Sequence, residues 1–117
     1  MKNSNRKFDL EERTARFGEE IIESAQKIKR DCINMPLISQ LVRSSTSIGA
    51  NYMEANGAES KKDFIHKIQI CKKEAKETMH WLRMIAKINP DNKLQIQKLW
   101  QEAKELTLIF AKISQSK

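Results

Sequence analysis

Glycine, proline and cysteine are all scarce in this sequence: three Gly, two Pro and two Cys in 117 residues. So few turn formers leave little material for a turn-rich β fold. Cys32 and Cys71 are too few for a disulfide scaffold. Each falls among apolar residues at helical spacing and reads as a reduced core residue of a cytosolic protein. No apolar run approaches the ~18 residues needed to cross a bilayer. The stretch Met1–Asp9 lacks the apolar segment of a secretory signal, so the expected location is cytoplasmic. What remains is rich in helix formers, with 39% hydrophobic and 32% charged residues. Lys, Glu, Ala, Leu and Gln all favour helix. The length suits one domain that buries roughly two-thirds of its unfolded-chain surface.

Three punctuation points divide the chain. Asn34-Met35-Pro36 offers a proline to open a helix. At Asn56-Gly57, the glycine suits the left-handed residue after a helix end. Ser60 with Asp63 three residues on then resembles a capping box. Pro90, between Asn89 and Asp91, ends one helix and precedes another. The predicted helices run over about 9–33, 36–56, 60–88 and 91–114. Residues 1–8 form a polar, flexible N-terminus, and 9–114 form one domain. In the third segment Phe64, Ile68, Cys71, Ala75, Thr78, Leu82 and Ile85 alternate steps of four and three. Ile96, Leu99, Ala103, Leu106, Phe110 and Ile113 do the same in the fourth, and Leu10, Phe17, Ile21, Ala25, Ile28 and Cys32 share a stripe in the first. This is helical periodicity. Four amphipathic helices with short connections predict an all-α, up-down-up-down antiparallel bundle. Ile70, Trp81, Met84, Trp100 and Leu108 fall outside the main stripes. They read either as a wide core face or as a second apolar seam against another copy.

The chain carries 22 Lys+Arg against 15 Asp+Glu, a formal charge of +7, and the third segment holds most of it. Opposite its apolar stripe lie Lys62, His66, Gln69, Lys73, Lys76, His80, Arg83 and Lys87, a line without a carboxylate. Lys61, Lys67 and Lys72 flank it. At about 1.5 Å per residue the line is ~37 Å long. A basic stripe on a rigid rod can follow a phosphate backbone and release its counterions. Lysine in place of arginine suits contact with phosphates rather than bidentate reading of bases. The plainer reading is a solvated face that keeps the protein soluble.

Sites for chemistry do not emerge. Asp63-x-x-His66 and Glu77-x-x-His80 have the local spacing of di-iron ligands. Both lie on one helix, about four turns apart, on its outer side, so no metal is expected. Cys71 sits on the apolar stripe without a base. Ser44, Ser45, Thr46 and Ser47 have no neighbouring His or acid, and no phosphate-binding glycine loop is present. The expectation is a protein that is not an enzyme and needs no cofactor.

The second segment contains an unusual run, Arg43-Ser44-Ser45-Thr46-Ser47-Ile48-Gly49-Ala50-Asn51. Small side chains let another backbone approach closely, and hydroxyls can bond back to the preceding turn. With Gln40-Leu41-Val42 before it, Glu54, Ser60, Asp63-Phe64, Glu77 and Trp81-Leu82 after it, this run resembles the bacterial four helix bundle protein family. That family is also called the 23S ribosomal-RNA intervening-sequence protein family, with the accessory proteins of diversity-generating retroelements as distant relations. The resemblance extends from about Phe8 to Ile113. Arg43, Ser47, Gly49, Asn51 and Glu54 match the family's motif. The chain departs from it after Asn51, where Tyr52-Met53-Glu54-Ala55-Asn56 replaces a smaller run. The resemblance implies an up-down bundle, a ring-like homopentamer and a role in binding RNA or another nucleic acid.

Two readings of function follow. In the first, an oligomeric bundle binds RNA or another nucleic acid through Lys62, Lys73, Lys76, Arg83 and Lys87, with Lys61, Lys67 and Lys72 at the flanks. In the second, the chain is an adaptor that docks a protein partner, such as a retroelement reverse transcriptase. There Trp81, Met84, Trp100 and the small-residue face make the contact, and the charge only steers the encounter.

Overall fold

The computed structural model describes the backbone of residues 5–115 and the side chains from Leu10 to Gln115. Four helices follow one another: α1 (Asn5–Gln26), α2 (Asn34–Asn56), α3 (Lys61–Ile88) and α4 (Lys93–Gln115). A 3₁₀ turn, Pro90–Asn92, sits between α3 and α4. Each helix packs on its successor and α4 closes against α1, whereas the backbones of α1/α3 and α2/α4 stay apart across the core, where Tyr52 of α2 packs on Phe110 of α4. With short connections this is an up-down-up-down four-helix bundle. It is elongated, 44 × 26 × 19 Å. Among the described residues there is no strand, and no helix is long and apolar enough to cross a membrane.

The apolar stripes meet in one core. Phe17 and Ile21 of α1, Leu41 and Ile48 of α2, Ile68, Leu82 and Ile85 of α3, and Leu106 and Phe110 of α4 are all buried. Burying such a side chain contributes about 1.5–3 kcal/mol. No buried side-chain N or O atom lacks a hydrogen-bond partner among the described residues.

The helix ends are set by side chains. Ser60 caps α3, its Oγ accepting from the Asp63 N–H at 3.0 Å. This satisfies one of the free donors of the first turn. The first connection differs from the prediction. The stripe that runs through Ile28 and Cys32 suggests helix to residue 33, but α1 stops at Gln26. The Asp31 carboxylate accepts from the N–H groups of Ile33 and Asn34, at 3.1 and 2.8 Å, and so starts α2 two residues before Pro36. Ile28 stays buried from the connection itself, while Cys32 is exposed rather than in the core. Gly57 also departs from expectation. Its φ is −97°, and no glycine has a positive φ. The turn closes instead through bonds from the Gly57 and Ala58 N–H groups to the Glu54 and Ala55 carbonyls. The polar stretch 1–8 lies partly outside the described residues; the backbone is helical from Asn5.

At the end of the bundle that holds the first and third connections, two amides interlock. Asn89 Nδ2 donates to Asn34 Oδ1 at 2.9 Å and also to the Ile85 carbonyl, which it caps. Asn34 is only 1% exposed, so this pair carries its polar group inside.

Candidate nucleic-acid interface

The 28 residues of α3 form one unbroken helix, Lys61–Ile88. Its inner face carries Ile68, Cys71, Ala75, Thr78, Leu82 and Ile85 and is buried. Geometry then requires the opposite positions to face water. Lys61, Lys62, His66, Lys73, Lys76, His80, Arg83 and Lys87 are all exposed, and Lys72 is half-buried. None of the seven lysines and arginines in that set makes an ion pair among the described residues. Lys67 is the exception among the eight predicted cations. Its Nζ meets Glu54 of α2 at 2.6 Å.

The carboxylates of α3 explain why the ridge has one sign. Glu74 and Glu77 point toward α2, where Arg43 bonds to both. The Arg43–Glu74 contact is 3.2 Å, and Glu74 is nearly buried. The Trp81 indole N–H adds a bond to Glu77 at 2.9 Å. Two of the three acids of α3 therefore face the seam, while Asp63 in its first turn is exposed beside Lys61 and Lys62. His80 lies against Trp81, ring centroids 4.8 Å apart at 72°.

The five motif residues belong to the α2 seams. Arg43 and Glu54 hold α3 by the ion pairs above. Ser47 offers its carbonyl to Asn51 Nδ2 at 2.9 Å. Gly49 stands against Thr14 of α1, where a Cβ would lie 3.3 Å from Thr14 Oγ1. Gly18 stands in the same way against Thr46. Ser44 Oγ and Thr78 Oγ1 are 2.8 Å apart inside the α2/α3 seam. Small residues thus let α2 approach α1 on one side and α3 on the other.

Three features arise only from packing and are not visible in the helix pattern. Arg13 of α1 clamps α4 through Glu102, at 2.6 and 2.8 Å, and through Glu105 at 2.9 Å. The bonds to Glu102 hold its guanidinium above its ordinary pKa. Arg43 spans Glu74 and Glu77; the signal for it was two Glu three apart and a single Arg on the preceding helix. The third is a groove of about 590 Å³ between the outer sides of α1 and α2. Ala15, Gly18, Gly49 and Ala50 line it, Ile22 and Met53 stand exposed beside it, and Glu11, Glu12 and Glu19 rim it. Cys71 has no catalytic character. Burial pushes its thiol up to about 12, so it stays protonated and unreactive at neutral pH. Burial also raises the Tyr52 hydroxyl, whose ring packs on Phe110 at 5.8 Å. Of the extra apolar residues, Ile70, Trp81, Met84 and Trp100 are half-buried, and Leu108 is exposed.

Comparison with curated proteins finds no match. Among solved structures, the chain is similar to a protein of unknown function from the S23 ribosomal protein family of Bacteroides thetaiotaomicron. The two share 27% identity at a TM-score of 0.85, over 94% of this chain and 98% of that one. The family described as 23S rRNA-intervening sequence protein matches residues 6–112, nearly the whole bundle. With the family model matching nearly the whole bundle, the chain belongs to the 23S rRNA-intervening sequence protein family.

Proposed function

We propose that this chain is a non-enzymatic, cytoplasmic bundle that binds RNA or another nucleic acid along the exposed ridge of α3. One observation carries the reading: Lys61, Lys62, Lys72, Lys73, Lys76, Arg83 and Lys87 make no ion pair among the described residues, while Glu74 and Glu77 of the same helix are turned to Arg43. A face kept only for solubility gains nothing from excluding acids. A phosphate backbone does, because each neutralised phosphate releases counterions. Lys67, held by Glu54, is the least available of the predicted contacts.

We further propose that copies of the chain assemble, five to a ring on the family resemblance. The groove between α1 and α2 is apolar with an acidic rim. On α4, exposed Leu108 has Lys104 and Lys112 one turn to either side. The apolar knob flanked by lysines matches the apolar, acid-rimmed groove in chemistry and sign of charge, and the two lie on different helices, as a head-to-tail contact between copies requires. Repeated ridges then add weak contacts by avidity. The adaptor reading also draws on the groove, because Ile22 and Met53 are exposed there and Trp81, Met84 and Trp100 are half-buried.

The test is fluorescence anisotropy with a labelled RNA across a salt series, with mass measured by light scattering. For five phosphate contacts the slope of log affinity on log salt is about −3.5 to −4.5. The variant carrying Lys73→Glu, Lys76→Glu and Arg83→Glu loses more than ~100-fold in affinity at low salt and keeps the mass of the native protein. Binding that ignores salt, or that survives the triple change, overturns the nucleic-acid reading. Capture of a defined partner protein that survives the same change supports the adaptor.

A further inference from the structure

The ridge of α3 is not built of cations alone. We propose that His80, braced by Trp81, is a stacking platform for an unpaired base, and that the ligand of the ridge is single-stranded. This deepens the nucleic-acid reading and rests on it.

Three observations place a flat, presented ring inside the cation line. First, the indole of Trp81 is immobilised. It packs against the core cluster, and its N–H bonds to Glu77 at 2.9 Å. Glu77 is in turn held by Arg43. Second, the imidazole of His80 meets that indole edge to face, at 4.8 Å and 72°, while His80 itself is exposed. Such pairs are favourable beyond their contact area. The ring is therefore offered to solvent in a supported position, and less rotamer freedom is lost when a ligand stacks on it. Third, it stands midway between Lys73 and Lys87 in the C-terminal half of the helix. Lys76 is one turn before it, Arg83 one turn after, and Lys73 and Lys87 two turns to either side. Lys76 and Arg83 are ~10.5 Å apart along the axis. A backbone held by both carries its bases past His80.

A duplex cannot use such a ring. Its base faces are already stacked on one another, and a straight cationic ridge meets only its phosphates. A single strand offers phosphates to the lysines and a π-face to the imidazole. Trp100 is placed differently. It lies on α4, off the ridge, with Lys104 Nζ over its own ring at 5.6 Å.

The experiment compares a labelled 15-nucleotide oligouridine with a 15-base-pair RNA duplex, both with the full chain, at matched salt and pH. The single strand binds roughly five- to tenfold tighter than the duplex. His80→Ala weakens oligouridine binding roughly tenfold, leaves the duplex within twofold and leaves the salt slope unchanged, because the lysine and arginine contacts to phosphate are kept. His80→Phe keeps the preference. In a Trp100→Phe background, the fluorescence of Trp81 changes on binding oligouridine and not on binding duplex. Equal affinity for the two probes, or an equal effect of His80→Ala on both, overturns the stacking site while the salt slope leaves the ridge standing. No binding of either probe overturns both.

Discussion

Two diagonal helices of this bundle, α1 and α3, do the same structural work and carry opposite surfaces. Each buries one apolar stripe in the shared core, and their backbones stand diagonally apart. The outer side of α1 mixes signs. Glu12, Glu19, Glu20 and Glu23 are exposed, Arg16 pairs with Glu12, and Arg13 is spent on Glu102 and Glu105. The outer side of α3 is cationic and unpaired. Mixed charge at α1 is enough to keep an amphipathic helix in water, and surface pairs of that kind contribute 0–1 kcal/mol. The single sign at α3 therefore asks for a cause beyond solubility. The seam with α2 contributes to it: Arg43 holds Glu74 and Glu77, while Asp63 in the first turn of α3 stays exposed.

The strongest way to break the contrast is to remove that arginine. Arg43→Ala leaves Glu74, whose side chain is 12% exposed, and Glu77 without their cation. An uncompensated buried carboxylate costs 3–5 kcal/mol. Arg43 itself is 44% exposed, and water screens part of that, so the expected loss in urea unfolding is about 2 kcal/mol. Adding Glu74→Gln recovers at least half of it. The single variant also makes α3 resemble α1, with acids among its lysines, and RNA affinity falls severalfold. An unchanged urea midpoint for Arg43→Ala shows that the acids were solvated all along.

How far this was legible from sequence differs between the same two helices. For α3 nearly everything was. Its 4-3-4 spacing is uninterrupted, Ser60 supplies the cap, and the faces of a straight rod follow from residue number alone. What the wheel does not contain is the neighbour. Lys67 looks like its fellow lysines until Glu54, thirteen residues away, is brought beside it. Arg43 and its two acids are 31 and 34 residues apart, and their meeting is a product of packing. For α1 the end was misread because Ile28 keeps the helical spacing and is buried, as a helix residue would be. The chain instead leaves the helix and tucks Ile28 in from a connection that Asp31 organises. Small residues in α2 signalled a close approach, but not that Gly49 faces Thr14 while Ser44 faces Thr78.

The inner faces sharpen the comparison at high pH. Only α3 buries an ionisable thiol. Burial raises Cys71 from 9.0 to about 12, so in the folded protein it stays neutral where the unfolded chain ionises. The stability this contributes is present below pH 9 and is lost as pH climbs from 9 toward 12. The slope approaches about −1.4 kcal/mol per pH unit, and the loss between pH 9 and 10 is about 1 kcal/mol. Tyr52, also raised by burial, acts with the same sign but only above its ordinary value of 10.0. Urea unfolding at pH 9 and 10 thus isolates the thiol. Cys71→Ala loses stability overall from the methyl-sized gap, yet its decline over that interval is flatter than that of the native protein. Equal slopes for the two would remove Cys71 as the source.

The smallest expected effect concerns how closely α1 lies on α2, where Gly18 and Gly49 stand in the seam. Glycine inside a helix costs roughly 0.5–1 kcal/mol relative to alanine. Whether that is recoverable depends on what a methyl group would meet. At Gly18 the added Cβ would be 3.6 Å from Thr46 Cγ2, an ordinary contact. Gly18→Ala is expected to stabilise by about 0.5 kcal/mol, a rise of a few degrees in thermal midpoint. At Gly49 the Cβ would sit 3.3 Å from Thr14 Oγ1 and 3.5 Å from its Cβ and carbonyl carbon. Thr14 is 2% exposed and its hydroxyl is tied to the Glu11 carbonyl, so it has little room to give way. The helix-propensity gain is then offset by displaced packing, and Gly49→Ala comes out neutral or slightly destabilising. A gain at Gly49 equal to that at Gly18 would mean that the seam is loose, and that the glycine of the family motif is kept there for some reason other than helix approach.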